Sequence, residues 1–329
     1  MSRNKRRPYD FLIVSIPFAL ALHGGAGTIA QGSAANEAPY CDALLEAIAV
    51  GHARLARGDS ALEAVIASVV WLEDCPLFNA GYGSVFTADA RHELDAGVMD
   101  GRSLAAGAVA GVRTIRNPIL AALEVMRDGR CVMLGADGAE RLVRERGLEI
   151  VDPSYFSTPQ RMDQLRAVQA KTGNVAVLDH DGAAAVEDNS RRFGTVGAVA
   201  RDRQGHLAAA TSTGGLTNKL PGRIADTPIV GAGVYANDAT CAVSSTGTGE
   251  YFIRACVAHD VHARMRYLNH DVSRAAHDSI IESLQPLGGR GGVIAVGHDG
   301  QLAMPFNSPG MYRAWVHEGE AARAAIFAA

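Results

Sequence analysis

A chain of 329 residues is long enough for two domains or one large α/β unit, and 48% hydrophobic with 20% charged residues supplies a core of useful size. A net charge of −4 offers no broad basic field, which sets nucleic-acid binding aside. Five cysteines (Cys41, Cys75, Cys131, Cys241, Cys256), odd in number and without a CxxC, point to reduced thiols rather than a disulfide framework.

The N-terminus has a basic start and an apolar run from Phe11 to Leu22, the outline of a signal peptide, but the run is too short to span a membrane. Cleavage near Ala21 would remove the strand that carries the next motif. Residues 1–18 are therefore taken as an extension ahead of the first strand. The expected location is cytoplasmic, with export as the alternative. "FALALH" predicts a buried strand, followed by a glycine loop at Gly24, Gly25 and Gly27. Helical spacing covers 39–57 (Leu44, Leu45, Ile48) and 59–72 (Leu62, Val65, Ile66, Val69), with Gly58, Asp59 and Ser60 between them. "LEDCPLFNAGYGSVF" is a glycine-rich loop. "AAGAVAGVRTI" and "RCVMLG" predict strands, and 117–128, opened by Asn117–Pro118, and 136–146 predict helices. After a short helix near 159–171, the stretch at about 172–194 loses periodicity and is expected to be an exposed linker.

The second half begins with a hairpin. Its loop, Arg203-Gln204-Gly205, is three residues long with glycine at the position that needs left-handed geometry. Pairing Asp202 with His206 fixes the register, and counting back places Thr195 opposite Thr213. "IVGAGVYANDATCAVSSTGTGE" predicts a second hairpin, ending at Thr246-Gly247 before a helix from Tyr251. Backbone N–H groups at such a glycine turn are able to bind an oxyanion. A last helix at 271–284 and a hairpin in "GGVIAVGHDGQLAMPF" complete the chain. Strands in both halves with flanking helices imply two sheets packed between helical layers, an α+β fold.

Several chemistries are excluded by what is missing. "HGGAG" looks like a lipase oxyanion loop, but no G-x-S-x-G elbow accompanies it. No G-x-G-x-x-G follows the first strand, so no dinucleotide is expected. His259 and His262 stand three apart without further ligands, His180 lies in a turn, and no HExxH occurs. More suggestive are Arg223 and Asp226. As an isolated pair they fit a surface ion pair. Together they also offer a fork for a carboxylate and an acceptor for an ammonium, the two ends of a free α-amino acid. A threonine hydroxyl needs a base, and one base is the α-amine of the same residue, with a pKa of about 7.7–8. Thr195 is internal, so it gains that amine only if Gly194–Thr195 is cut.

"HGGAG", "LFNAGYGSVF", "ELDAGVMDG", "GTVGAVA", "TSTGG", "NKLPGR" and "SSTGTGE" together resemble the isoaspartyl peptidase/L-asparaginase family, the plant-type asparaginases among the N-terminal nucleophile hydrolases, in their bacterial form. The likeness runs from about Ala19 to the C-terminal "FNSPGMYRAW". It implies an αββα sandwich and self-cleavage into residues 1–194 and 195–329, with Thr195 as nucleophile and Thr213 bonded to its hydroxyl. It implies Thr246 and the Gly247 N–H as oxyanion donors, Arg223 and Asp226 as the clamp on the substrate's α-carboxylate and α-amine, and Asn79 beside the nucleophile. The carbonyls of Leu72, Glu73, Cys75, Phe78, Ala80 and Tyr82 would hold a structural Na⁺, a hard cation suited to oxygen ligands. No organic cofactor is implied, and the assembly would be a dimer of αβ units. Gly194 is expected to carry backbone strain that favours cleavage, after which the same oxyanion donors serve the substrate. The expected activity is hydrolysis of β-aspartyl dipeptides and of L-asparagine through a β-aspartyl-Thr195 ester. A glycosylasparaginase, a taspase-like protease and an unprocessed binding homologue are the alternatives.

Overall fold

The computed structural model describes residues 17–27, 34–172 and 194–328, so residues 1–16 and all but the two ends of the linker expected at about 172–194 lie outside it. The order of elements in the first part is β1 (Ala19–Gly27), α1 (Ala34–Ala56), α2 (Ala61–Asp74), β2 (Leu94–Asp100), β3 (Ala106–Val112), α3 (Pro118–Asp128), β4 (Met133–Gly135), α4 (Ala136–Glu145) and α5 (Pro159–Thr172). The second part runs β5 (Val196–Arg201), β6 (Leu207–Thr213), β7 (Val234–Ala236), β8 (Cys241–Gly247), α6 (Gly249–Ala255), α7 (Val257–Leu268), α8 (Val272–Asp278), β9 (Gly291–Gly297), β10 (Leu302–Ala303), β11 (Gly310–His317) and β12 (Arg323–Ala325).

Local chemistry accounts for several boundaries. Ser60 caps α2 through a complete capping box with Glu63, worth about 1 kcal/mol. Pro118 opens α3, where its missing N–H costs nothing, and Gly129 closes it in the left-handed region. The last helix predicted at 271–284 breaks into α8 and a π-helical turn over Ser279–Leu284.

Eight strands form one sheet in the order β12-β11-β1-β5-β6-β2-β3-β4, and four form a second in the order β10-β9-β8-β7. Neighbours are antiparallel except β3 with β4. The glycine motif predicted as a loop belongs to β1: pairing with β11 continues through Gly27 across a bulge between His23 and Gly25. Gly25 supplies the positive φ of +117° that the bulge needs.

Alternation along the strands sorts the core into layers. Leu20 and Leu22 of β1 face Leu44 and Ile48 of α1 and Val65 and Val69 of α2. Ala19 and Ala21, on the other face, pack with Val199 and Ala209 against Ala242, Ile294 and Val296 of the small sheet. Cys241 and Val243 of β8 face Phe252, Val261 and Val272 on the far side. Both sheets are thus covered on both faces. This explains why their strands are near-continuous runs of apolar residues rather than alternating ones. Phe18, placed in the extension, is 1% exposed and joins this core. No helix among the described residues is long and apolar enough to cross a membrane.

Candidate active site

The β5–β6 hairpin turns as its loop requires. Asp202 and His206 are bonded N to O at 3.0 Å, and Gly205 sits at φ +88°. Val196 pairs with Ser212 and Arg201 with Leu207, the register counted from the loop. Thr195, just before β5, therefore meets Thr213 at the end of β6, and its hydroxyl donates to Thr213 Oγ1 at 3.2 Å.

Thr213 has no freedom left. Its single proton goes to the Gly194 carbonyl at 2.9 Å, while its oxygen accepts from the Thr195 hydroxyl and from the Gly215 N–H at 3.0 Å. Asn79 is equally committed. Its Nδ2 donates to the carbonyls of Gly194 (2.7 Å) and Gly215 (2.6 Å), and its Oδ1 accepts the Val85 N–H at 2.9 Å. The carbonyl between Gly194 and Thr195 thus carries two side-chain donors, Asn79 and Thr213. This differs from the expectation that the oxyanion donors of cleavage are Thr246 and Gly247. What the geometry demands of Gly194 is close approach: a Cβ there would lie 2.8 Å from Asn79 Cβ.

A narrow cleft opens at this point, lined by Thr195, Thr213, Arg223, Asp226, Thr227 and Gly247, with Gly194 in its wall. Arg223 does not pair with Asp226. Its Nε and Nη2 both reach Glu250 Oε1 at 2.8 Å, which leaves the Nη1–Nη2 edge of the guanidinium for another anion. Asp226 is buried, and its Oδ2 and the neighbouring Thr227 Oγ1 have no hydrogen-bond partner among the described residues. Desolvation pushes the Asp226 carboxyl up to about 7, against the opposing pull of Arg223. A buried carboxylate oxygen without a partner is a place prepared for a cation.

Thr246, next to last in β8, is fully buried, its oxygen accepting the Ala26 N–H at 3.1 Å from the glycine motif of β1. Gly247 follows at φ +155° on the cleft wall. The next N–H, that of Thr248, is taken by the Arg290 carbonyl. The helix predicted from Tyr251 begins at Gly249.

The loop after α2 folds back on itself. Tyr82 N–H bonds the Glu73 carbonyl at 2.7 Å, and Phe78 N–H bonds that of Cys75 at 3.3 Å. A Cβ on Gly81 would stand 2.4 Å from the Glu73 oxygen, and one on Gly83 would stand 2.6 Å from that of Pro76 and 3.0 Å from that of Phe78. A turn lined by carbonyl oxygens, tight enough to admit only glycine, fits a hard monovalent cation. The Glu73 side chain ties this loop to the hairpin. Ser212, next to Thr213, donates to its carboxyl at 2.6 Å, and burial raises that carboxyl to about 8.

Two contributors sit inside the motifs of the family likeness without a role that the sequence assigns to them. Glu250, the last residue of "SSTGTGE", holds Arg223 across 27 positions. His23, the first of "HGGAG", donates from Nδ1 to the Thr195 carbonyl at 2.8 Å and accepts the Ser244 hydroxyl at Nε2 at 2.8 Å. Burial lowers its pKa to about 3, so the ring is neutral and its two nitrogens take opposite roles.

The family model described as asparaginase matches residues 16–326. The chain is 52% identical to the isoaspartyl peptidase of Escherichia coli (strain K12) over 310 residues, 94% of this chain and 95% of that protein. It is 44% identical to a putative isoaspartyl peptidase/L-asparaginase of Dictyostelium discoideum over 324 residues, covering 90% and 92% of the two chains. A third relative, the isoaspartyl peptidase/L-asparaginase of Danio rerio, is 36% identical over 302 residues, 92% of this chain and 93% of its own. A match of this extent, on a chain whose Thr195, Thr213, Arg223 and Asp226 line one cleft, places it in the isoaspartyl peptidase/L-asparaginase family.

Proposed function

We propose that the protein is a self-processing amidohydrolase that cleaves β-aspartyl dipeptides and L-asparagine, with Thr195 as nucleophile. The observation that carries this reading is the Gly194–Thr195 bond, whose carbonyl oxygen accepts from both Asn79 and Thr213 while the Thr195 hydroxyl points at Thr213. The layered pair of sheets is then the αββα sandwich of the N-terminal nucleophile hydrolases, with residues 1–194 and 195–329 as its two subunits.

In self-cleavage the Thr195 oxygen attacks the Gly194 carbonyl carbon while its proton is relayed through Thr213, which takes it as it passes its own proton to the Gly194 oxygen. Negative charge on the Gly194 oxygen is met by the Asn79 amide and the Thr213 hydroxyl. Collapse breaks the C–N bond, the nitrogen takes a proton, and an ester joins Gly194 to the Thr195 hydroxyl. Breaking the C–N bond frees the Thr195 α-amine, which becomes the base, and water then hydrolyses the ester to the Gly194 carboxylate and the free Thr195 hydroxyl. Substrate then enters with its α-carboxylate on the open edge of Arg223 and its ammonium on Asp226. The Gly247 N–H and the Thr246 hydroxyl face the developing oxyanion, and a β-aspartyl-Thr195 ester forms and is hydrolysed. The carbonyls of Leu72, Glu73, Cys75, Phe78, Ala80 and Tyr82 would hold Na⁺, whose part is to fix the loop that presents Asn79. The working form is a cytoplasmic dimer of αβ units.

Assays of released product on β-Asp-Leu, L-asparagine and a glycoasparagine test the reading. Turnover of the first two with little of the third is expected. Preference for the glycoasparagine would make the protein a glycosylasparaginase, and activity only on protein substrates would make it a taspase-like protease.

Asp226 gives the reading a pH signature. In the empty site its carboxyl is neutral below about pH 7, while the substrate's ammonium needs the carboxylate. The kcat/KM for L-asparagine should therefore fall as pH drops below about 7. The Thr195 amine, with a reference pKa of about 7.7–8, adds a limb of the same sign, because it too must be unprotonated. An N-acylated asparagine lacks the ammonium and should show the amine's limb alone. With Asp226→Asn, the profiles for the two substrates should coincide. Coincident profiles in the unmodified enzyme would assign Asp226 to holding the loop instead.

A further inference from the structure

Two segments with the family's likeness take no part in the chemistry above: the start of "ELDAGVMDG" and the Lys219 half of "NKLPGR". In the fold they close on each other. Glu93, just before β2, is 3% exposed. Its Oε2 accepts the Gly222 N–H at 2.7 Å, and its Oε1 accepts Arg113 Nη2 at 2.7 Å. Its own carbonyl accepts Lys219 Nζ, also at 2.7 Å. Gly222 is the residue before Arg223 and turns the chain at φ +82°. The turn closes with Arg223 N–H on the Leu220 carbonyl at 3.0 Å.

The apolar side chains of this turn do not anchor it. Leu220 is 48% and Ile224 45% exposed, on either side of Arg223. A turn whose apolar groups face solvent is placed by its polar ties, and opens readily when they are lost. Glu93 supplies such a tie within one residue of the guanidinium's own backbone, as a charge-assisted bond inside the protein. Lys219 extends the lock toward the nucleophile. A Cβ on Gly215, whose carbonyl Asn79 holds, would stand 2.8 Å from Lys219 Nζ.

We propose that Glu93 is a positioning residue for substrate binding, holding the Gly222 N–H so that Arg223 presents its open edge to the substrate's α-carboxylate. The proposal rests on the reading of Arg223 as the carboxylate clamp.

Glu93→Gln is the test. A glutamine side chain can still accept from one donor, but its amide nitrogen cannot accept from the other, so either Arg113 or Gly222 loses its partner. The KM for L-asparagine and for a β-aspartyl dipeptide should rise about tenfold, the loss of one hydrogen bond to a charged group. The kcat should stay within about twofold, because the reacting atoms are untouched. The rate at which the chain splits should not change, because the precursor offers Arg223 no free carboxylate. A role in holding the fold alone would lower kcat and slow splitting with KM unmoved, and would overturn the proposal. In the Arg223→Ala background, Glu93→Gln should add no further rise in KM, and an additive rise would also overturn it. Should Glu93→Gln fail to fold, Glu93→Asp keeps the charge, shortens the reach by one methylene and must give the same split between KM and kcat. An unchanged kcat/KM in Arg223→Ala by itself would defeat the clamp and the proposal together. A damaged Arg223→Ala beside an unaltered KM in Glu93→Gln would defeat the proposal alone.

Discussion

Thr195→Ala should yield one uncut chain, with amidase activity lower by at least about 10⁴-fold. The wild-type protein, incubated after purification, should split into two fragments that stay associated, because β1 is hydrogen-bonded to β5 and β11 on either side. N-terminal sequencing of the smaller fragment should give Thr-Val-Gly-Ala-Val. The hydroxyl is the only group of Thr195 bonded to Thr213, so removing it leaves the Gly194 carbonyl on Asn79 and Thr213 with nothing to attack it. Thr195→Ser keeps the oxygen and should still process, more slowly if the methyl group helps to set the rotamer. A full-length wild-type chain would identify an unprocessed binding homologue. Activity retained by uncut Thr195→Ala would mean a different nucleophile. A fragment starting at any other residue would remove Thr195 from its role.

Arg223→Ala should lower kcat/KM for both L-asparagine and β-aspartyl dipeptides on the order of a hundredfold, the loss of a two-point charge-assisted contact. Splitting of the chain should proceed at the wild-type rate, since Gly194 is peptide-bonded and offers no carboxylate. Arg223→Lys should recover only part of the loss, because an ammonium cannot face Glu250 and a substrate carboxylate along two edges of one plane. Steady-state kinetics beside a time course of intact mass separates the two functions. Equal slowing of both would mean that Arg223 holds the loop from Leu216 to Asp226 rather than the substrate.

The same division, between what neighbours along the chain decide and what distant segments decide, runs through the whole molecule. The meeting of Thr195 with Thr213 was legible in the sequence because a three-residue loop ending in Gly205 admits one geometry and strand pairing then propagates without further choice. The start of α2 after Ser60 and of α3 at Pro118 were legible for the same reason, as each depends on atoms within one turn. The short strands buried on both faces were harder. Leu94–Asp100 carries no alternation, and only its place between β3 and β6 makes it a strand. Nor did the sequence contain the insertion of β1 between β11 and β5, which pairs Ala19 with His317 and with Arg201. The polar partners were decided in the same way. Glu250 on Arg223, Glu93 on Gly222 and His23 on Thr195 are 27, 129 and 172 positions apart. A side chain's type shows that it needs a partner once buried, but which partner it receives depends on how the two sheets stack. The sequence by itself therefore determined the hairpins, the caps and the residue types of the site. Only the tertiary structure decided which edge of Arg223 stays open and why Gly194 has no room for a side chain, because both are set by atoms that long-range packing brings together.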